Sequence, residues 1–153
     1  AFSYDPDTDI ILINPNHPLY DEENYKDVLA HEIAHRIDHN EYGSPMYTEF
    51  VESIKNTEKS VLQEKEKYQQ RLAQNGDLEY NYFISDIMSC MTDNVITGAY
   101  GHESQYIGKP GYAESEIFAD IYAVLYRSDD ATVEFIKSEL PEVYEAFMKV
   151  LKR

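Results

Sequence analysis

Tryptophan is absent and cysteine occurs once, at Cys90. A single thiol excludes an intramolecular disulfide and any multi-cysteine metal site. Cys90 has neither basic neighbours nor a helix start beside it to activate a thiolate, so with Met88 and Met91 it reads as core packing. Cationic residues are scarce too: 13 Lys and Arg stand against 29 Asp and Glu, a net charge of −16. That balance argues against nucleic acid, which needs a basic face for its phosphates, and equally against an anionic membrane surface. No apolar run approaches the roughly 18–20 residues of a bilayer span. No signal peptide is visible, and a chain that opens on Ala1 is expected to be a domain excised from a longer chain or a processed product.

What is present suffices for a core. The 153 residues are 42% hydrophobic and 13% aromatic, a single domain's worth that needs no covalent staple. Pro6, Pro15 and Pro18 forbid a long helix at the start. Between them the β-branched run Ile10-Ile11-Leu12-Ile13 predicts a short strand. The acidic Asp21-Glu22-Glu23 then suits a helix N-terminus. Val28, Leu29, Ile33 and Ile37 follow at helical spacing, predicting a helix over 22–40 that ends at Gly43-Ser44-Pro45. Residues 46–75 are rich in Glu, Lys and Gln, with a sparse apolar stripe of Phe50, Ile54, Val61, Leu62, Tyr68 and Leu72. They read as one or two solvated helices closed by Asn75-Gly76. A further helix is predicted over 79–97. Four of the six glycines fall in 98–111, which reads as a loop. Helices are then expected over 113–127, 130–138 and 141–151, with Pro141 in the first turn of the last.

His31-Glu32-Ile33-Ala34-His35 reads HExxH in the middle of the first helix. Four residues of helix turn by about 400°, so the two imidazoles sit one turn apart on one face and can converge on one cation. Glu32 lies beside them, within reach of a water that the cation holds. Zinc peptidases use this arrangement: two His ligands and a Glu general base. With five His and 17 Glu in the chain, shuffling would yield the pattern roughly once or twice in a hundred, so its placement must strengthen it. The apolar Ile33, Ala34 and Ile37 bury one side of this helix, and a His-Glu-His face there needs a reason.

A catalytic zinc needs a third protein ligand and an open fourth position. The metzincin pattern fails, because it wants Gly at 38 and His at 41 where this chain has Asp38 and Glu41. His39, one more turn along, lies near the helix end, where such residues usually face solvent. Glu116 is the stronger candidate, in Ala113-Glu114-Ser115-Glu116-Ile117-Phe118-Ala119-Asp120. Glu116 and Asp120 share a face one turn apart. Glu116 can bind the metal while Asp120 takes the second nitrogen proton of His31 or His35, which fixes the tautomer. Glu114 is the rival ligand.

HExxH followed by a downstream glutamate, with an acid four residues later, is the gluzincin pattern. His31 to Asp38 and Glu114 to Asp120 together resemble the catalytic domain of anthrax lethal factor and its relatives, with an HExGHxxD helix and an ExExFAE-like helix. Ala34 stands where that family usually has Gly. The block from Ser85-Asp86-Ile87 to Tyr100-Gly101-His102 and Tyr106 is similar to the carboxy-terminal domain of certain phage minor head (head-morphogenesis) proteins of Gram-positive bacteria. That likeness covers about residues 20–150. The resemblance implies one zinc per chain at His31, His35 and Glu116, with Glu32 as base and a tyrosine stabilising the oxyanion. Tyr106 is the first candidate for that donor and Tyr100 the second, and His102 can serve as an imidazolium.

The fold expected is mainly α (α+β): a zincin-like metallopeptidase domain with a small β edge over 9–14. A helical insertion at 46–97 would separate the metal-binding helices. The reaction expected is hydrolysis of a peptide bond in a peptide or protein substrate, basic or neutral given the acidic surface. Two other readings stay open: a virion structural module that keeps the fold without turnover, in contact with other phage head proteins, and a secreted toxin-like peptidase domain. The phage likeness points to a virion or a bacterial host cytoplasm.

Overall fold

The structure is a computed structural model that describes residues 2–16, 25–74, 81–127 and 130–152. It is mainly helical, with one small antiparallel sheet. Strand β1 (Phe2–Asp5) pairs with β2 (Ile10–Ile13), placing Phe2 opposite Ile13 and Asp5 opposite Ile10. The β-branched run is β2. Its partner Phe2-Ser3-Tyr4-Asp5 has no such run and was not legible as a strand. The Asp5 carboxylate holds the turn, accepting from Thr8 Oγ1 at 2.6 Å and Asp7 N at 3.1 Å. Asp9 then accepts from Arg36 Nε at 2.9 Å, Arg36 Nη2 at 2.7 Å and Asn40 Nδ2 at 3.0 Å, which fastens the hairpin to the first helix.

That helix, α1, spans Tyr25–Ile37. The acidic start expected at Asp21-Glu22-Glu23, Pro18 and the close at Asn75-Gly76 lie outside the described residues. The apolar residues expected to lead its packing, Val28, Leu29, Ile33 and Ile37, are only half-buried. The face turned fully inward is Ala30, His31, Glu32 and Ala34. α1 continues into a π-helical turn, Asp38–Tyr42, and stops where Gly43 takes the left-handed conformation at φ 64°. A short 3-10 turn, Ser44–Met46, follows. The buried Asp38 carboxylate accepts from Ser44 N and Ser44 Oγ, both at 2.7 Å, and locks this reversal.

Two helices, α2 (Thr48–Gln63) and α3 (Lys65–Gln74), occupy the segment read as a solvated hairpin. Their apolar stripe is more deeply engaged than that reading implied. Phe50, Ile54, Val61, Tyr68 and Leu72 are buried, and α2 packs along α8 (Pro141–Val150). Arg71 pairs with Glu139 at the rim. Next, α4 (Tyr82–Thr92) is buried at every position from Phe83 to Thr92. It ends at Asp93 and Asn94, both left-handed, short of the predicted 97. The loop after it contains one short helix, α5 (Ser104–Ile107). Cys90 is buried, and burial pushes its thiol far above the ordinary range, in keeping with a packing role.

The central element is α6 (Tyr112–Arg127), against which α1, α4 and α7 (Asp130–Glu139) all pack. Ile117, Phe118, Ile121 and Val124 are fully buried. Phe118 meets Phe147 at 5.0 Å and Phe50 at 6.3 Å between ring centroids, tying α6 to α8 and α2. A helix apolar on most sides is a buried helix, and this one carries Glu116 and Asp120 into the interior.

The start of α4 yields one prediction. The Asn81 side chain caps α4, accepting from Ile84 N at 3.0 Å, and donates to Thr132 Oγ1 at 2.9 Å. Asn81→Ala is expected to destabilise the domain by about 1 kcal/mol, seen as a melting temperature lower by about 2–4 °C in circular dichroism. An unchanged melting temperature would show that the cap contributes nothing.

Candidate metal centre

α1 and α6 lie side by side, and their facing polar residues meet. His31 Nε2 is 2.9 Å from His35 Nε2 and 3.0 Å from Glu116 Oε2, and His35 Nε2 is 3.2 Å from the same oxygen. Two imidazole nitrogens and a carboxylate oxygen thus converge on one small space. A tetrahedral zinc site with bonds of about 2.0–2.1 Å has ligand–ligand edges of about 3.3 Å, so this donor set fits a divalent cation. His31, His35 and Glu116 form one of the groups of side chains that could hold a metal ion.

The outer nitrogens are also engaged. His31 Nδ1 is 2.7 Å from Asp120 Oδ1, deep in the core where Asp120 has no solvent exposure. The Nδ1 proton donated there leaves Nε2 as the free ligand atom. His35 Nδ1 is 3.3 Å from Ser115 Oγ, which in turn donates to Asp38 Oδ2 at 3.5 Å. The carboxylate that locks the π turn therefore also steadies His35.

The charges are strongly coupled. Burial opposes a charge on His31, yet Asp120 and then Glu116 hold its pKa well above the ordinary imidazole range. Burial likewise opposes ionisation of Glu116, but His102, His31 and His35 override it and hold the carboxyl far below its usual range. Asp120 moves the other way, pushed well up by burial and by the neighbouring Asp86.

Glu32 is 9% exposed, and its Oε2 accepts from the Tyr4 amide of β1 at 2.7 Å. It lines a cavity of about 690 Å³ together with His31, His35, Glu116, Tyr100 and His102. Thus the hairpin roofs the site on one side and orients this carboxylate.

Of the oxyanion donors considered from sequence, Tyr100 and His102 are on the cavity wall. Tyr106 is not on that wall; it is 41% exposed and packs against Tyr112 with centroids 6.1 Å apart. His39 reaches the cavity rim but is exposed and forms no part of the ligand trio. Glu114 is half-buried and belongs to none of the metal-capable groups among the described residues.

Sequence reading missed four participants. Tyr4 acts through a backbone amide, which no side-chain motif reveals. Ser115 sits between two acids that drew the attention. Tyr82 sets its ring edge-on to His31 at 5.8 Å between centroids. Asp86, in the Ser-Asp pair of α4, is 1% exposed and places Oδ2 3.2 Å from His102 Nε2. A buried acid on an otherwise apolar helix was the signal that could have found it.

The loop carrying Tyr100 and His102 is pinned to α4. Ser85 Oγ donates to Tyr100 O and accepts from Tyr100 N at 2.9 Å and Gly98 N at 3.1 Å. Asn94 Nδ2 donates to His102 O at 2.8 Å. Gly101 lies so close to α4 that a Cβ there would overlap the Ser89 side chain, with Ser89 Cβ 2.8 Å away. Gly101→Ala is accordingly expected to push this loop outward and cost about 1–3 kcal/mol. Thermal unfolding checks it, and a wild-type melting temperature would refute the close approach.

Searches against protein-family models, curated proteins and solved structures found no match for this chain.

Proposed function

We propose that this chain is a zinc-dependent peptidase domain of the zincin type, hydrolysing peptide bonds. The observation that carries the reading is the convergence of His31 Nε2, His35 Nε2 and Glu116 Oε2 within 2.9–3.2 Å. Glu32, on the same helix, lines the same cavity. The likeness of the two metal-binding segments to the lethal factor family, and of residues 20–150 to phage minor head proteins, agrees with it and suggests a role in phage head assembly.

In this reading His31, His35 and Glu116 hold the ion. Once bound, zinc would supply a Lewis acid for the scissile carbonyl and acidify a water. Glu32 takes the proton of the attacking water and delivers it to the leaving amine. The Tyr4 amide sets the orientation of the Glu32 carboxylate, and Asp120 and Ser115 fix the two imidazole tautomers. Tyr100, on the cavity wall, donates to the developing oxyanion, whereas both His102 nitrogens are engaged, Nε2 by Asp86 and Glu116 and Nδ1 by Tyr112. None of the described cavity-lining residues is Lys or Arg, while Asp27 and Glu32 line it, which favours neutral or basic substrate segments.

The test is zinc content by mass spectrometry on tag-free protein, followed by a peptide-library cleavage screen. The loss of one zinc ion per chain on His31→Ala, with cleavage abolished by a chelator, is the expected result. No zinc after reconstitution would overturn the reading. Zinc without any cleavage would also overturn it and leave a structural module stapled by metal.

A further inference from the structure

We infer that this site takes two divalent cations, the second held by Asp86, His102 and Glu116 beside the one held by His31, His35 and Glu116. The inference rests on the metal reading above and extends it from one ion to a pair bridged by the Glu116 carboxylate.

The geometry around His102 is the first ground. Its Nε2 is 3.2 Å from Asp86 Oδ2 and 3.2 Å from Glu116 Oε2. One ring nitrogen carries at most one proton and cannot satisfy two carboxylates. The three donor atoms lie within 4.8 Å of one another, the spacing of a ligand set. His102 Nδ1 faces Tyr112 Oη at 3.1 Å, so the proton on Nδ1 can be given to the phenol and Nε2 left as a ligand. The bonds from Ser85 and Asn94 hold the backbone of this loop, at Tyr100 and His102, against α4.

Asp86 is the second and independent ground. It is 1% exposed, and apart from the approach of His102 Nε2 at 3.2 Å its Oδ2 receives no hydrogen bond from any described residue. Its Oδ1 has only the weak Cys90 thiol, at 3.7 Å. A carboxylate this deeply buried is normally paired or bound to a metal. Asp86 Oδ2 is aimed at the nitrogen of His102, on the cavity wall.

Charge is the third. Glu32, Asp86, Glu116 and Asp120 are each at most 9% exposed, and no described Lys or Arg lines the cavity beside them. Buried carboxylates gathered without a Lys or Arg beside them favour a second divalent ion next to the first. Glu116 Oε2 is already approached by His31, His35 and His102, at 3.0, 3.2 and 3.2 Å. A bridging carboxylate in a two-metal hydrolase occupies such a position. A further trio, His31, Asp86 and Asp120, is buried throughout and uses groups already committed to each other. Of the His102 trio, His102 and Glu116 line the cavity, with Asp86 behind them.

The experiment is zinc stoichiometry. Chelator-stripped wild type, Asp86→Asn, His102→Gln and His31→Ala are each dialysed against buffered zinc and measured by mass spectrometry, with folding checked by circular dichroism. Two zinc ions per chain are expected in wild type, and one in each variant. His102 is partly exposed, so His102→Gln keeps the test valid if Asp86→Asn fails to fold. One ion in wild type, retained in His102→Gln and lost in His31→Ala, overturns the second site and leaves the peptidase reading standing. One ion lost in His102→Gln and retained in His31→Ala overturns the peptidase reading and supports this site alone. A second ion that persists in both His102→Gln and Asp86→Asn is held by surface acids and overturns the inference.

Discussion

On the proposed peptidase reading, Glu32→Gln is expected to lower peptide hydrolysis by about 10²–10⁴-fold, the usual contribution of a positioned general base, while leaving bound zinc unchanged. The substitution is close to isosteric. Glutamine keeps a carbonyl oxygen for the Tyr4 amide, which now donates to Glu32 Oε2 at 2.7 Å, so β1 retains its hold on α1. What is lost is an oxygen that can accept a proton from water and return it to an amine. The metal trio does not include Glu32, so zinc content reports separately on the ligands. Full activity in Glu32→Gln would remove this carboxylate from the mechanism. Loss of zinc together with activity would place it among the ligands instead.

With zinc held as proposed, stripping it is expected to lower the melting temperature by about 5–15 °C, and by more at pH 8 than at pH 6. The size follows from linkage. An ion present at 100–1,000 times its dissociation constant adds about 3–4 kcal/mol, and a domain of this length shifts by about 2–4 °C per kcal/mol. The pH dependence follows from the buried bases of the metal-free protein. Burial works against His31 and His102. Asp120 with Glu116, and Asp86 with Glu116, nevertheless raise them, His31 well above its ordinary value and His102 to about 10. A base whose folded pKa is raised contributes stability that is fully present below its unfolded pKa of about 6.5 and is lost as pH rises through the folded value. Asp120, also raised, acts with the same sign. The metal-free domain therefore weakens between pH 6.5 and about 10. In the loaded protein the imidazoles serve as ligands, must be deprotonated, and bind better as pH rises. Paired melts with and without chelator at the two pH values check it. A difference that shrinks at pH 8 would mean that these histidines are not the ligands.

Much of this architecture was legible from sequence because it is helical. Spacing of three and four residues places Ile117, Phe118, Ile121 and Val124 on one side of α6 and Glu116 and Asp120 on another, and the structure keeps that division. The proximity of His31, His35, Glu116 and Asp120 follows from the same geometry on two neighbouring helices. The α1 core was misjudged for a related reason. Apolar residues were taken as the inward face, whereas Val28, Leu29, Ile33 and Ile37 stay half-buried and a polar face is turned in. Burial of that face is supported by facing imidazoles and carboxylates, which hydropathy does not weigh. The first three residues of the π turn after Ile37 were read as more of the helix, because Asp38 works through a carboxylate that caps Ser44 six residues on. Asp86, Tyr82 and the His102 loop escaped because they depend on how α4 lies against α6, a long-range fact that local periodicity does not carry.

The double duty of α6 has a consequence for anyone who would re-engineer this domain. Between Ser115 and Val124 almost every position is either buried against another helix or turned toward the ligand cluster. Sequence latitude there is small, and libraries aimed at this helix would mostly return unfolded clones. The opposite wall is different. Phe2 and Pro6 border the cavity from the hairpin, where side chains can change without emptying the core. On the proposed reading, new substrate preferences, whether selected or designed, would be sought there first.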